Sequence, residues 1–262
     1  MAVVLLVALA LLLVGGLYSA LAPRPAEATT ATATADDVEE GRILFLANCA
    51  SCHGLNAEGG QVNDGLNAGP SLIGAGAASV DFQVGTGRMP LAQSGPQAEE
   101  VSKIRFSQEQ IDQMAAYVAS LAPGPAIPTE DVLDTSEATA EEIARGAAIF
   151  RTNCAMCHNT QGKGGALTAG KYAPSLDGVE ARYIYEAMTT GPQSMPVFND
   201  NTIAPEDKTA IIAWLTADSE QRPDPGGWTL GSLGPVSEGL FAWIAGIGLL
   251  IGCSVWLGLK SS

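Results

Sequence analysis

Residues 45–54 read FLANCASCHG, and residues 150–159 read FRTNCAMCHN. The chain of 262 residues has only 2 histidines, and each stands directly behind a Cys-x-x-Cys. Outward from these stretches the likeness continues. GRILFLANCASCHG (41–54) aligns with GAAIFRTNCAMCHN (146–159), so that Gly41 matches Gly146, Phe45 matches Phe150 and Asn48 matches Asn153, each pair 105 apart. Further on, GPSLIG (69–74) aligns with APSLDG (173–178), which pairs Pro70 with Pro174. RMP (88–90) aligns with SMP (194–196), which pairs Met89 with Met195. So steady a register means two copies of one domain.

Cys-x-x-Cys-His is the pattern of covalent c-type heme attachment. The two thiols form thioethers to the porphyrin vinyl groups, and the spacing sets both sulfurs along one edge of the ring. The next residue then turns beneath the ring and gives the iron a nitrogen ligand. Cys49 and Cys52 are thus expected to hold one heme and Cys154 and Cys157 a second, with His53 and His158 as proximal ligands. An electron-transfer heme needs a second axial ligand, commonly Met. Met89 and Met195 follow their first cysteines at nearly the same distance, and each precedes a proline that stiffens the loop. Pro70 and Pro174 are expected to offer a backbone carbonyl to the other histidine nitrogen and so orient the ring. Met114 and Met188 fall on helical stretches and read as core, and Met156 lies between attachment cysteines. A zinc site or a thioredoxin-like pair would use similar residues, but neither accounts for two Met-Pro pairs in register.

With both histidines spent on iron, none remains for acid–base chemistry. With each iron capped by Met, neither offers an open position, and a peroxidase would need one. The expected cofactors are two covalently bound heme c groups in an electron carrier with no catalytic residue of its own.

Each copy opens and closes with a helical pattern. ADDVEEGRILFLANC has acidic residues in its first turn and apolar Val38, Ile43, Leu44 and Phe45. TAEEIARGAAIFRTNC places Thr139 as N-cap with Glu142 three residues on. The closing stretches begin at Ser107 and near Pro205, a first-turn proline. No alternating strand pattern appears. The expected fold is all-α: two tandem class I-like cytochrome c domains between an N-terminal and a C-terminal transmembrane helix. So few residues per copy make a thin core, which a large apolar cofactor would complete.

Net charge is −15, from 13 basic and 28 acidic residues. That argues against nucleic acid as a partner, since phosphate contacts need clustered Lys and Arg. It suits a solvated surface or a docking face for a basic partner. The fifth cysteine, Cys253, reads as a packing residue.

Residues 2–22, AVVLLVALALLLVGGLYSALA, carry no charge and are long enough to span a bilayer. SALA would also suit signal-peptidase cleavage, but the length favours a retained helix. No basic residue precedes the run, which fits a short basic leader having been lost. Residues 240–259 are again uncharged, with Trp243 and Trp256 near the ends and Lys260 after. The chain therefore divides into a transmembrane helix (1–22), a linker (23–35), heme domain 1 (36–121), a linker (122–138), heme domain 2 (139–220), a linker with Trp228 (221–239) and a transmembrane helix (240–260). Heme is attached outside the cytoplasmic membrane. The expectation is a two-span protein of that membrane, in contact with membrane lipid, with extracytoplasmic heme domains and both termini cytoplasmic. Domain 1 also carries about nine extra residues after its Met, within 91–105, read as either a partner-docking loop or a tolerated surface insertion.

Two such domains between two helices resemble the diheme cytochrome c subunit, cytochrome cc, of the actinobacterial menaquinol–cytochrome c reductase (cytochrome bcc complex). GGWTLGSLGPVSEGLFAWIAGIG (226–248) is similar to that family's run into its last helix. The resemblance implies a translocase complex whose cytochrome b subunit oxidises menaquinol. One electron then passes to the Rieske iron–sulfur subunit and through this chain to the copper-containing subunit of cytochrome c oxidase, in one supercomplex. Domain 1 would face the Rieske protein and domain 2 the oxidase. Alternatives are a diheme subunit of another membrane oxidase or dehydrogenase, such as the cbb type, or a freestanding membrane-tethered shuttle. The span at 240–259 distinguishes this chain from the cbb type.

Overall fold

The computed structural model describes residues 2–21, 33–60, 69–93, 95–217, 230 and 235–260. Most of the expected tether at 23–35, Trp228 and most of 221–239 lie outside the described residues.

Helix α1 covers Ala2–Leu21, and α2 (Ala35–Asn48) opens the first copy. Thr34 caps α2 reciprocally: its Oγ1 accepts from Asp37 N at 3.2 Å, and Asp37 Oδ2 accepts from Thr34 N at 2.9 Å. Capping boxes tie down the orphan donors of a helix start, and this one begins the helix before the expected boundary at 36. One short turn, α3 (Ala50–His53), follows directly, then α4 (Gly76–Gly85) and the closing helix α5 (Gln108–Leu121), capped by Ser107 with Gln110. A four-residue helix, α6 (Glu130–Leu133), lies inside the segment read as a linker. The second copy repeats the plan. It comprises α7 (Ala140–Asn153), capped by Thr139 with Glu142 as expected, α8 (Ala155–His158), α9 (Ala181–Thr190) and α10 (Pro205–Thr216), with Pro205 in the first turn. A two-residue strand pair, β1 (Gly165–Ala166) with β2 (Tyr172–Ala173), is antiparallel and is a small addition to the all-α expectation.

In each copy the opening helix crosses the closing one. The crossing needs a glycine. A Cβ on Gly41 would lie 1.9 Å from Gln113 O, and one on Gly146 would lie 1.9 Å from Ala210 O. The backbones therefore touch, and aromatic pairs fill the next layer: Phe45 with Tyr117 at 5.2 Å and Phe150 with Trp214 at 4.6 Å between ring centroids. Met114 and Met188 are buried core residues, and Met156 is 92% exposed. Lys208 is fully buried within α10, its Nζ 2.7 Å from Asp200 Oδ1.

The copies meet through counterpart helices, α4 of the first against α9 of the second. Phe82 and Tyr183 pack edge to face at 6.2 Å. The segment 122–138 straps this seam. Pro125 O accepts from Ala78 N at 3.1 Å in the first copy, and Val132 O accepts from Thr209 Oγ1 at 2.9 Å in the second.

The last helix, α11 (Pro235–Lys260), presents Leu240, Trp243, Leu249 and Trp256 to its surroundings, and Cys253 is exposed there. Among the described residues Ser237–Lys260 is the one helix long and apolar enough to cross a membrane, and Val7–Gly16 forms a shorter apolar helical stretch.

Candidate heme-attachment sites

Each attachment motif hangs from the end of an opening helix. The last hydrogen bond of α2 runs from Cys49 N to Phe45 O at 2.8 Å, and that of α7 from Cys154 N to Phe150 O at 2.8 Å. The chain then tightens into one turn, with His53 N on Cys49 O at 3.0 Å and His158 N on Cys154 O at 2.9 Å. This turn sets both cysteines and the histidine along one side of a rigid element. Next, Gly59 N bonds His53 O at 2.7 Å and Gly164 N bonds His158 O at 2.9 Å. Both glycines have positive φ, 92° and 79°, and their backbones pass against Pro70–Ser71 and Ala173–Pro174. A side chain would be strained there.

That close pass brings the prolines to the histidines. His53 Nδ1 lies 2.7 Å from Pro70 O, and His158 Nδ1 lies 3.0 Å from Pro174 O. A proton held on Nδ1 by a carbonyl leaves Nε2 with a free lone pair, the form in which imidazole binds a metal. Burial lowers the pKa of His158, only partly opposed by the Pro174 carbonyl, which favours the neutral ring. Burial, with the neighbouring thiol, pushes Cys49 and Cys154 up to about 11. Cys154 is buried, Cys49 and Cys157 half-buried, and Cys52 exposed.

The two methionines lie with the motifs of their own copies. Met89 packs in the apolar cluster that includes Cys49, Leu44 and Phe106, and Met195 in the one that includes Cys154, Phe150 and Leu176. In the second copy a cavity of about 510 Å³ is lined by Cys154, Cys157, His158 and Met195 together with Ile184 and Leu215. Sulfur and neutral imidazole around an apolar hollow fit a heme. The first copy differs at one point: a Cβ on Gly69 would lie 2.6 Å from Cε1 of His53, whereas Ala173 occupies the matching place in the second.

Sequence reasoning missed part of this lining. Phe82, Arg88, Gln97 and Glu100, all of the first copy, border the cavity of the second. Gln97 and Glu100 fall among the extra residues of 91–105, which were the one signal; Phe82 and Arg88 lie outside them. The extra residues do not form a free outward loop. Gln97 Oε1 accepts from Tyr172 N at 2.8 Å, and Ala98 N donates to Gln193 Oε1 at 3.2 Å.

These modules are those of c-type cytochromes. Residues 38–122 match the family model for cytochrome c, and residues 141–215 match that for cytochrome c oxidase, cbb3-type, subunit III. The cytochrome bc1 complex cytochrome c subunit of Corynebacterium efficiens is 42% identical over 94% of this chain and 85% of its own length. That of Mycobacterium tuberculosis is 42% identical over 98% of this chain and 90% of its own. A Cbb3-type cytochrome c oxidase subunit, FixP, of Sinorhizobium medicae is 30% identical, but over 48% of this chain and 40% of its own. The chain belongs to the family of cytochrome bc1 complex cytochrome c subunits. It is a cytochrome c electron carrier, a subunit of an oxidoreductase complex, and its cytochrome c domains imply covalently bound heme c.

Proposed function

We propose that the chain holds two heme c groups and relays electrons from the Rieske iron–sulfur subunit of a menaquinol–cytochrome c reductase to cytochrome c oxidase. Cys49 and Cys52 bind the first heme, with His53 and Met89 on its iron. Cys154 and Cys157 bind the second, with His158 and Met195. The single observation that carries this reading is the matched geometry of the motifs: in both copies a histidine behind Cys-x-x-Cys puts Nδ1 on the carbonyl of an in-register proline.

When bound, each heme supplies a one-electron couple. The protein's residues do the rest. The prolyl carbonyls fix the histidine tautomer and plane. Met89 and Met195, each stiffened by the proline that follows, would give the iron a sulfur ligand and leave no position open to a substrate. The apolar clusters around Phe45 and Phe150 exclude water, which favours the less charged reduced state. Transfer to partners then depends on distance and docking, and the subunit needs no bond-making site of its own.

Within the complex the partners are the cytochrome b subunit, the Rieske subunit and the copper-containing oxidase subunit, assembled as one supercomplex. Helices α1 and α11 both span the cytoplasmic membrane in contact with lipid, with the heme domains outside and both termini inside. Native purification followed by a redox-titrated heme spectrum tests the reading. The expected result is two c hemes per chain, with b and a hemes co-purifying. Intact-mass measurement of the denatured chain at its bare peptide mass would overturn it.

A further inference from the structure

The cavity of the second copy is partly walled by the first. Arg88 is the one Lys or Arg among the described residues that line it, against Glu100, Asp177 and Glu180. The Arg88 side chain is only 10% exposed. Its guanidinium stands 4.9 Å above the Phe82 ring, and Nη2 pairs with Glu100 Oε2 at 3.2 Å. Nη1 is buried with no hydrogen-bond partner among the described residues. A buried guanidinium nitrogen left unpaired is costly, by about 1–3 kcal/mol or more. It is the donor that a planar carboxylate would satisfy.

A heme brings two carboxylates, its propionates, and they are its only strongly anionic groups. We infer that Arg88, supplied by the first domain, is a propionate-binding residue of the second heme, which makes the second heme pocket a composite of both copies. The inference rests on the assignment of the second heme to Cys154 and Cys157. Gln97 and Ala98 hold the insertion on Tyr172 and Gln193, two residues that line or adjoin the same hollow. Lys171, whose Nζ bonds Ser194 Oγ at 2.9 Å on the rim, is the competing cation.

The test uses the full holoprotein in its complex, with heme counted by mass and each heme's redox wave resolved by spectropotentiometry. Met195→His marks the second heme's wave, because imidazole in place of thioether lowers its potential. A nearby positive charge disfavours the ferric state, so Arg88→Gln should shift the second wave to lower potential, and Arg88→Lys should restore most of that shift. Glu100→Gln, which removes an anion from the same lining, should move it upward. Two hemes per chain should be retained in all three. The proposal is overturned if the second wave stays put in Arg88→Gln, if the Arg88→Gln shift is confined to the first heme, or if Lys171→Gln alone reproduces it. Loss of the second heme from the wild-type mass would instead defeat the underlying assignment.

Discussion

Asp81 and Glu186 lie on facing helices of different domains, are both 0% exposed, and share one arginine. Arg182 Nε is 2.5 Å from Asp81 Oδ2 and 3.6 Å from Glu186 Oε1. Gln108 Nε2 donates to Asp81 Oδ1 at 3.0 Å, and Asp112 Oδ1 stands 3.7 Å from Arg182 Nη2. One guanidinium cannot neutralise two buried carboxylates and a half-exposed third. Burial, with the charge of Asp81 beside it, pushes Glu186 up to about 10, so this seam keeps a proton at neutral pH.

The first prediction follows by linkage. Between the ordinary Glu value of 4.5 and about 10, folded Glu186 binds a proton that the unfolded chain has released. Stability therefore falls as pH rises through that window, by up to about 1.4 kcal/mol per unit for one full proton. Glu186→Gln mimics the protonated acid. It should flatten this slope and leave the protein at pH 8 as stable as the parent or more so. Denaturant unfolding across the window reads it, and an unchanged slope would refute the assignment.

Gly146 is predicted to resist even alanine. Alanine in a helix gains about 1 kcal/mol over glycine, but here its Cβ would fall 1.9 Å from Ala210 O. Opening the crossing of α7 and α10 should outweigh the gain and destabilise the holoprotein by a net 1–3 kcal/mol or so. A rise in melting temperature for Gly146→Ala would contradict this.

A third outcome concerns Gly69. Its alanine variant would press on the ring of His53, with a contact of 2.6 Å to Cε1. The imidazole must tilt off the Pro70 carbonyl. The visible spectrum and potential of the first heme should shift while those of the second stay fixed. Equal changes in both hemes would show that the contact is not local.

Gln97→Ala removes the acceptor for Tyr172 N, and with it a tie between the domains. Limited proteolysis within 91–105 should quicken by several-fold, because cleavage follows the population of the opened segment. Heme content should not change. Should proteolysis be unaltered, the insertion is not held by this bond.

Much of the proposed site could be read from the chain. The spacing of Cys49, Cys52 and His53 points to heme attachment, and the repeat turned Met89, Met195, Pro70 and Pro174 from common residues into pairs. Thr139, Ser107 and Pro205 marked helix starts because capping is local chemistry. What stayed hidden was long-range. Nothing near Arg88 in sequence says that it borders the hollow of another domain, and an Asp and a Glu 105 residues apart give no sign of sharing an arginine. The linker at 122–138 looked idle because its bonds are made by backbone carbonyls, Pro125 O and Val132 O, which composition does not reveal.

The meeting of α4 with α9 has the outline of a twofold contact between like subunits, yet it is chemically one-sided. Where α9 carries Arg182, the matching stretch of α4 has Ala77 and Ala78. Identical partners joined this way would bring either two guanidiniums or none. A covalent tandem escapes that constraint and installs a single cation off the axis. The halves are thus chemically distinct: two first domains placed face to face would bring two aspartates and no guanidinium to this place, and two second domains would bring two arginines with two glutamates. The tandem seats one guanidinium between an aspartate and a glutamate.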